Sequence, residues 1–112
     1  MEPEQLARLK TNEFMQKFKN KHLAGYIYTK RILEVILKQY YTMGYADIKG
    51  LKQYRDTYFS SEISYINISK ATKFFINKEG FEGSYKAFLT QCLEDIINNP
   101  LLETDIKGVE TF

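Results

Sequence analysis

Residues 32–43 read ILEVILKQYYTM, and apolar side chains fill most of these positions. On a helix, this pattern leaves little polar circumference, which is typical of a central helix packed by neighbours on several sides. We extend the helix over residues 23–43, with Gly25 marking its start or a kink. Gly44 follows, where helices commonly end on a left-handed residue. The sequence therefore predicts a long central helix.

Three further segments have the pattern of amphipathic helices. One covers residues 3–20 and begins at Pro3, which suits a first helical turn. Its apolar stripe consists of Leu6, Leu9, Phe14, Met15 and Phe18. Another covers residues 46–58. The last follows Ser84, a suitable capping residue, and is stopped by Asn98-Asn99-Pro100. Its apolar stripe consists of Tyr85, Phe88, Leu89, Cys92, Leu93, Ile96 and Ile97.

Residues 62–77 fit two structures. Their isoleucines and aromatics have strand propensity, but helical spacing places Thr72 and Phe75 on one side and Lys70 and Lys73 near the other. We favour a helix because a run of sixteen residues outlasts most strands; a short β-hairpin is the alternative. The fold class is therefore all-α, a compact bundle of about five helices.

Length and composition indicate one soluble domain. The chain has 112 residues, 44% of them apolar and 27% charged, and this size can fold without disulfides or a metal ion. We assign residues 1–100 to one helical domain and residues 101–112 to an acidic C-terminal arm or tail. Cys92 is the single cysteine, the N-terminus is acidic, and no apolar run is long enough for a membrane span. We expect a cytoplasmic protein with no membrane partner.

Candidate catalytic groups are sparse. Metal sites need several ligands at workable spacing, yet the chain has one His and one Cys, His22 and Cys92. Cys92 lies on the apolar stripe of the last helix, which is typical of an inert buried thiol. Glu34 interrupts the central helix, and we expect it to pair with Lys30, Arg31 or Lys38. No glycine-rich loop matches a phosphate-binding motif. The sequence thus predicts a non-enzyme with no cofactor, no metal and no small-molecule substrate.

Aromatic residues favour a function in protein contacts. Seventeen Tyr and Phe rings in 112 residues are more than one small core can hide, and exposed tyrosines are typical of interfaces. An adaptor, an inhibitor or an assembly subunit, acting through another protein or as a homodimer, is our first interpretation. Its candidate contact residues are Tyr28, Tyr41, Tyr54, Tyr58 and Phe112.

Charge distribution supports a DNA-binding alternative. Residues 1–80 carry fourteen basic and eight acidic side chains, whereas residues 81–112 carry two and six. The helices over 23–43, 46–58 and 61–77 have the order of a helix-turn-helix, in which the last would enter the major groove. Its candidate DNA contacts, with a basic patch over residues 17–31, are Lys17, Lys19, Lys21, Lys30, Arg31, Ser64, Asn67, Lys70 and Lys73.

Overall fold

The computed structural model describes residues 1–18, 24–60 and 70–99. Within these ranges the chain forms five helices and no strand, which confirms the predicted all-α bundle. The helices are α1 (Pro3–Met15), α2 (Ala24–Thr42), α3 (Ile48–Ser60), α4 (Lys70–Lys78) and α5 (Tyr85–Asn98). Residues 70–77 are helical, so the hairpin alternative is wrong for that part of 62–77, while 61–69 lie outside the described residues. None of the described helices has both the length and the apolar composition needed to cross a membrane.

The central position predicted for α2 is confirmed, because α1, α3, α4 and α5 all pack against it. Leu33, Leu37 and Tyr40 are fully buried on its inner side. Its circumference is not fully enclosed, however. Ile27 is 52% exposed and Val35 is 38% exposed, so α2 keeps one open face that contains apolar side chains.

The C-terminus of α2 ends at a left-handed glycine, as predicted. Gly44 has φ +89°, a backbone conformation that glycine adopts without steric cost. The Gly44 N–H donates to the Tyr41 carbonyl at 3.1 Å, and the Tyr45 N–H donates to the Tyr40 carbonyl at 3.2 Å. This Schellman arrangement satisfies the last carbonyls of the helix. It also stacks the ring of Tyr45 on that of Tyr40, with centroids 5.4 Å apart.

The helix predicted over residues 3–20 ends earlier, at Met15. Beyond this point the hydrogen bonds are of the 3₁₀ type. The Lys17 N–H donates to the Phe14 carbonyl at 3.4 Å, and the Phe18 N–H donates to the Met15 carbonyl at 3.1 Å. These bonds span three residues instead of four. Phe18 is thereby placed in the core. The apolar stripe also differs from the prediction, because Leu6 and Leu9 are half-buried. The buried positions are Ala7, Thr11, Phe14, Met15 and Phe18.

Side-chain caps fix the starts of α3 and α5. The Asp47 carboxylate accepts a hydrogen bond from the Gly50 N–H at 2.9 Å, so α3 begins at Ile48, two residues after the predicted start. The Ser84 hydroxyl accepts from the Ala87 N–H at 3.1 Å, as predicted for the last helix. The predicted stripe of α5 is buried at Tyr85, Phe88, Leu89, Cys92, Leu93, Ile96 and Ile97.

A glycine allows α2 and α4 to cross closely. Gly25 is buried, and a Cβ atom added there would lie 2.5 Å from the Phe75 Cβ and 2.9 Å from the Ala71 carbonyl oxygen. Contacts that short require one helix to move. The absence of a side chain at position 25 therefore sets the distance between α2 and α4.

We expect Gly25→Ala to lower the free energy of unfolding by about 1–3 kcal/mol, because the added methyl overpacks the crossing. This cost outweighs the gain in helix propensity, which favours Ala. Urea denaturation followed by far-UV circular dichroism measures the change. Arg31→Ala is the control, since it adds alanine at an exposed position of α2 that forms no ion pair with the described residues, and it should change stability by less than about 0.5 kcal/mol. Unaltered stability of Gly25→Ala would contradict the close crossing.

Candidate interaction surfaces

Two of the tyrosines predicted to be exposed lie in the core. Tyr54 and Tyr58 are 1% and 2% exposed, so the prediction that their rings are exposed is wrong. Both belong to α3, and their rings pack with centroids 5.6 Å apart. Tyr54 also packs against Tyr40, with centroids 5.9 Å apart. The protein thus buries more aromatic surface than the sequence argument allowed.

Hydroxyl groups at the edge of this aromatic cluster explain how it can be buried. The Tyr54 hydroxyl donates to the Gln39 Oε1 at 2.9 Å. The Tyr40 hydroxyl donates to the backbone carbonyl of Asp47. Tyrosine can bury its ring while its hydroxyl reaches a polar partner. Each ring therefore packs in the core without leaving its hydroxyl unsatisfied.

The other predicted contact tyrosines differ from one another in exposure. Tyr28 is 36% exposed and stacks on the ring of Tyr85, with centroids 6.3 Å apart. Tyr41 is half-buried, and its hydroxyl has no hydrogen-bond partner among the described residues. Phe112 lies outside the described residues. The structure therefore leaves Tyr28, and part of Tyr41, accessible to a partner.

An open groove separates the C-terminal half of α2 from α3. Its volume is about 450 Å³. Val35, Gln39 and Met43 line one side, and the buried Tyr54 contributes from the other. Met43 is 57% exposed, and Val35 is 38% exposed. The groove therefore presents apolar side chains to solvent. Sequence analysis did not identify Val35 or Met43 as contact residues, because both fall within a segment predicted to be enclosed.

Charges of both signs lie beside this groove, between α1 and α2. The Glu4 carboxylate lies 3.4 Å from the Arg8 guanidinium and 3.9 Å from the Lys38 ammonium. Glu34 lies beside Glu4, Arg8 and Lys38 in the same shallow pocket between α1 and α2. The predicted ion pair of Glu34 with Lys30, Arg31 or Lys38 is wrong within the described part of the chain. Lys38 approaches Glu4 instead, and neither Lys30 nor Arg31 lies within 4 Å of the Glu34 carboxylate. The ion pairs are more than half exposed, so they contribute little to stability.

The basic patch predicted over residues 17–31 is only partly available for binding. Lys17 lies 3.9 Å from the Asp95 carboxylate and 4.0 Å from the centroid of the Phe14 ring, so its charge is partly compensated within the chain. Lys30 is half-buried, and Arg31 is exposed. Lys19 and Lys21 lie outside the described residues.

The helix-turn-helix stays a prediction, because the connection between its two helices lies outside the described residues. Helix α3 continues to Ser60, two residues beyond its predicted end, and α4 is described from Lys70. Helix α4 packs against α2 and α5. Ser64 and Asn67 lie outside the described residues.

Helix α4 nevertheless presents a polar and basic outer face. Lys70, Lys73, Phe74, Asn77 and Lys78 are all exposed. Their spacing of i, i+3, i+4, i+7 and i+8 places them on one side of the helix. The other side buries Thr72, Phe75 and Ile76. The outward positions predicted for Lys70 and Lys73 are confirmed. The sequence analysis did not identify Phe74 as exposed, yet 56% of its surface is accessible beside these lysines.

Groups capable of acid–base, nucleophilic or metal chemistry are not assembled in the described part of the chain. No three His, Cys, Asp or Glu residues there could hold a metal ion; His22 lies outside it. Cys92 is 2% exposed, and burial raises the pKa of its thiol to about 12. The thiolate is the nucleophilic form, so Cys92 is unreactive at neutral pH.

Comparison with protein-family models, with curated proteins and with solved structures gives no match to this chain. The functional argument therefore rests on the surfaces described above.

We expect stability to fall as the pH rises above about 10. Burial raises the pKa of Tyr40 to about 12, with a further contribution from the charge of Asp47. Burial also raises the pKa of Tyr85, although the hydrogen bond to Thr29 opposes this. In the unfolded chain both phenols ionise near pH 10. The unfolded state therefore loses protons first, and the stabilisation present below pH 10 is lost as the pH approaches 12. Urea unfolding at several pH values, with ultraviolet absorbance of tyrosinate, tests this. Tyrosines that all ionise near pH 10 in the folded protein would contradict it.

Two matched substitutions should change stability in opposite directions. The Tyr85 and Thr29 hydroxyls form a buried hydrogen bond of 2.8 Å, so Tyr85→Phe leaves Thr29 without that bond and should cost about 1–3 kcal/mol. Tyr41→Phe removes a buried hydroxyl that has no partner among the described residues, and should be neutral or stabilising by up to about 1 kcal/mol. Thermal and urea unfolding measure both. Equal losses in the two variants would show that the Tyr41 hydroxyl is satisfied in solution.

Proposed function

We propose that this protein is a non-catalytic helical module that acts through protein contacts, and that its principal contact closes between two copies of the chain. The contact surface is the groove between α2 and α3 together with the charged cluster of Glu4, Arg8, Glu34 and Lys38 beside it. The observation that carries the proposal is the exposed apolar lining of this groove.

Apolar side chains at the groove argue for a partner of some kind. Met43 and Val35 stand at its rim with 57% and 38% of their surface exposed. Covering apolar surface is the main favourable contribution to protein association. A flexible methionine adapts its shape to the surface it meets. Met43 is therefore suited to enter the groove of a facing molecule.

The charged cluster beside the groove argues that the partner is a second copy. In a two-fold interface the same patch occurs on both sides, so the patch has to complement itself. The cluster contains two acids and two bases, with Glu4 between Arg8 and Lys38. A surface of mixed sign can pair with its own copy, whereas a surface of one sign would repel it. The groove and cluster together meet this requirement.

Sedimentation equilibrium over a range of protein concentrations tests the dimer. We expect a reversible monomer–dimer equilibrium for the natural sequence. Val35→Glu and Met43→Glu should shift it towards monomer by tenfold or more, because a carboxylate buried in the contact without a partner costs more than about 1.4 kcal/mol.

Phe74→Glu is the matched control. Phe74 is 56% exposed, about as much as Met43, but lies on α4 and outside the groove lining. The dimer constant of this variant should match that of the natural sequence. A chain that stays monomeric at every concentration, or a dimer that survives both groove substitutions, would overturn the assignment of this surface to a second copy.

A further inference from the structure

The outer face of α4 carries a second, separate inference. Three lysines and one aromatic ring share this face: Lys70, Lys73, Phe74 and Lys78. The helix itself contains no acidic residue. Among the described residues, no carboxylate lies within 4 Å of any of the three lysine ammonium groups. The nearest acid along the chain, Glu79, follows the helix and is half-buried. Within the described part of the chain, the positive charge of this face is therefore not paired with a carboxylate.

Phe74 distinguishes this face from an ordinary solvated helix surface. Its ring is 56% exposed, while the adjacent Phe75 is fully buried. The ammonium of Lys78 lies 5.9 Å from the centroid of the Phe74 ring. An exposed ring among lysines combines the two groups that bind a nucleic acid strand: cations for the phosphates and a flat apolar surface for a base.

We propose that the outer face of α4 binds single-stranded nucleic acid, with Phe74 stacking on a base and Lys70, Lys73 and Lys78 contacting the flanking phosphates. This surface does not overlap the groove between α2 and α3.

Duplex DNA fits the face less well. The bases of a duplex are already stacked and expose only their edges in the grooves, so an aromatic ring has no free base to cover. Of the exposed side chains on α4, only Asn77 has both a donor and an acceptor for reading base edges. Single strands expose base faces, and stacking on them tolerates any sequence.

An anionic membrane also fits less well. Helices that lie in a membrane interface bury a wide apolar face. The wide apolar face of α4 already packs in the protein core, through Phe75 and Ile76. One exposed phenylalanine leaves little apolar surface for insertion.

Fluorescence anisotropy of a labelled oligothymidylate, titrated with the full chain, tests the proposal. We expect binding that weakens steeply with salt, since each lysine contact with a single strand contributes a slope of about 0.7 to the dependence of log affinity on log salt. Three contacts predict a loss of roughly twentyfold between about 50 and 200 mM salt. Lys73→Gln should reduce the slope by about 0.7.

Substitutions at Phe74 separate stacking from charge. Phe74→Leu should weaken binding by roughly five- to a hundredfold, because it keeps an apolar side chain but removes the ring. Phe74→Tyr restores a ring and should restore most of the affinity. Ile27→Leu is the control, because Ile27 is 52% exposed and lies outside both α4 and the groove lining. Circular dichroism and thermal unfolding confirm that each variant is folded.

Each alternative outcome overturns the proposal. Equal or tighter binding of a duplex of the same length, unaffected by Phe74→Leu, would indicate a purely electrostatic duplex contact. Binding to vesicles of equimolar phosphatidylcholine and phosphatidylserine without binding to the oligonucleotide would indicate a membrane surface. No binding to any of these probes at low salt would remove nucleic acid as a partner of α4. Sedimentation of the same variants keeps this result separate from that of the dimer.

Discussion

The nineteen residues of α2 have to supply packing surface to α1, α3, α4 and α5 at once. Near its N-terminus, Gly25 has no side chain, and this allows α4 to approach closely. At its C-terminus, Tyr40 packs its ring against Tyr45 and Tyr54, which brings α3 against the helix. The four neighbours still leave one face uncovered, and Ile27 and Val35 lie on it. The core and the exposed apolar surface thus have a common origin.

The helices that could be predicted well are those whose apolar stripe and caps are visible in the local sequence. Helix α5 has an unbroken apolar stripe and a serine cap, and both were identified correctly. Helix α1 was harder, because its buried stripe includes Ala7 and Thr11 while the larger Leu6 and Leu9 are half-buried. Small residues allow a neighbouring helix to approach closely, and that neighbour is not visible in a local pattern. The end of α1 depends in the same way on Phe18, which leaves the helix to reach the core.

The candidate surfaces show the same division. Helical spacing alone placed Lys70 and Lys73 outside. Phe74, Phe75 and Ile76 form an apolar run that does not define which ring faces the core; the rotation of α4 against α2 decides it, and it exposes Phe74. The prediction that Tyr54 and Tyr58 are exposed was wrong for a different reason. The prediction assumed that seventeen rings exceed the capacity of the core and that the surplus tyrosines are exposed. Tyr54 and Tyr40, however, hydrogen-bond their hydroxyls within the protein, so their rings can remain buried.

The charges on the two proposed surfaces favour different partners. The cluster beside the groove contains both signs, so a second copy placed there would meet complementary charge. The outer face of α4 carries three lysines that pair with no described carboxylate, and a second copy brought against it would meet its own charge. A two-fold contact through α4 is therefore unfavourable, while a polyanion is favoured on that face by the same lysines. A dimer closed through α2 and α3 would leave α4 out of the contact on each copy. Two such faces on one dimer would let a single strand bind twice, which raises its apparent affinity without any new contact.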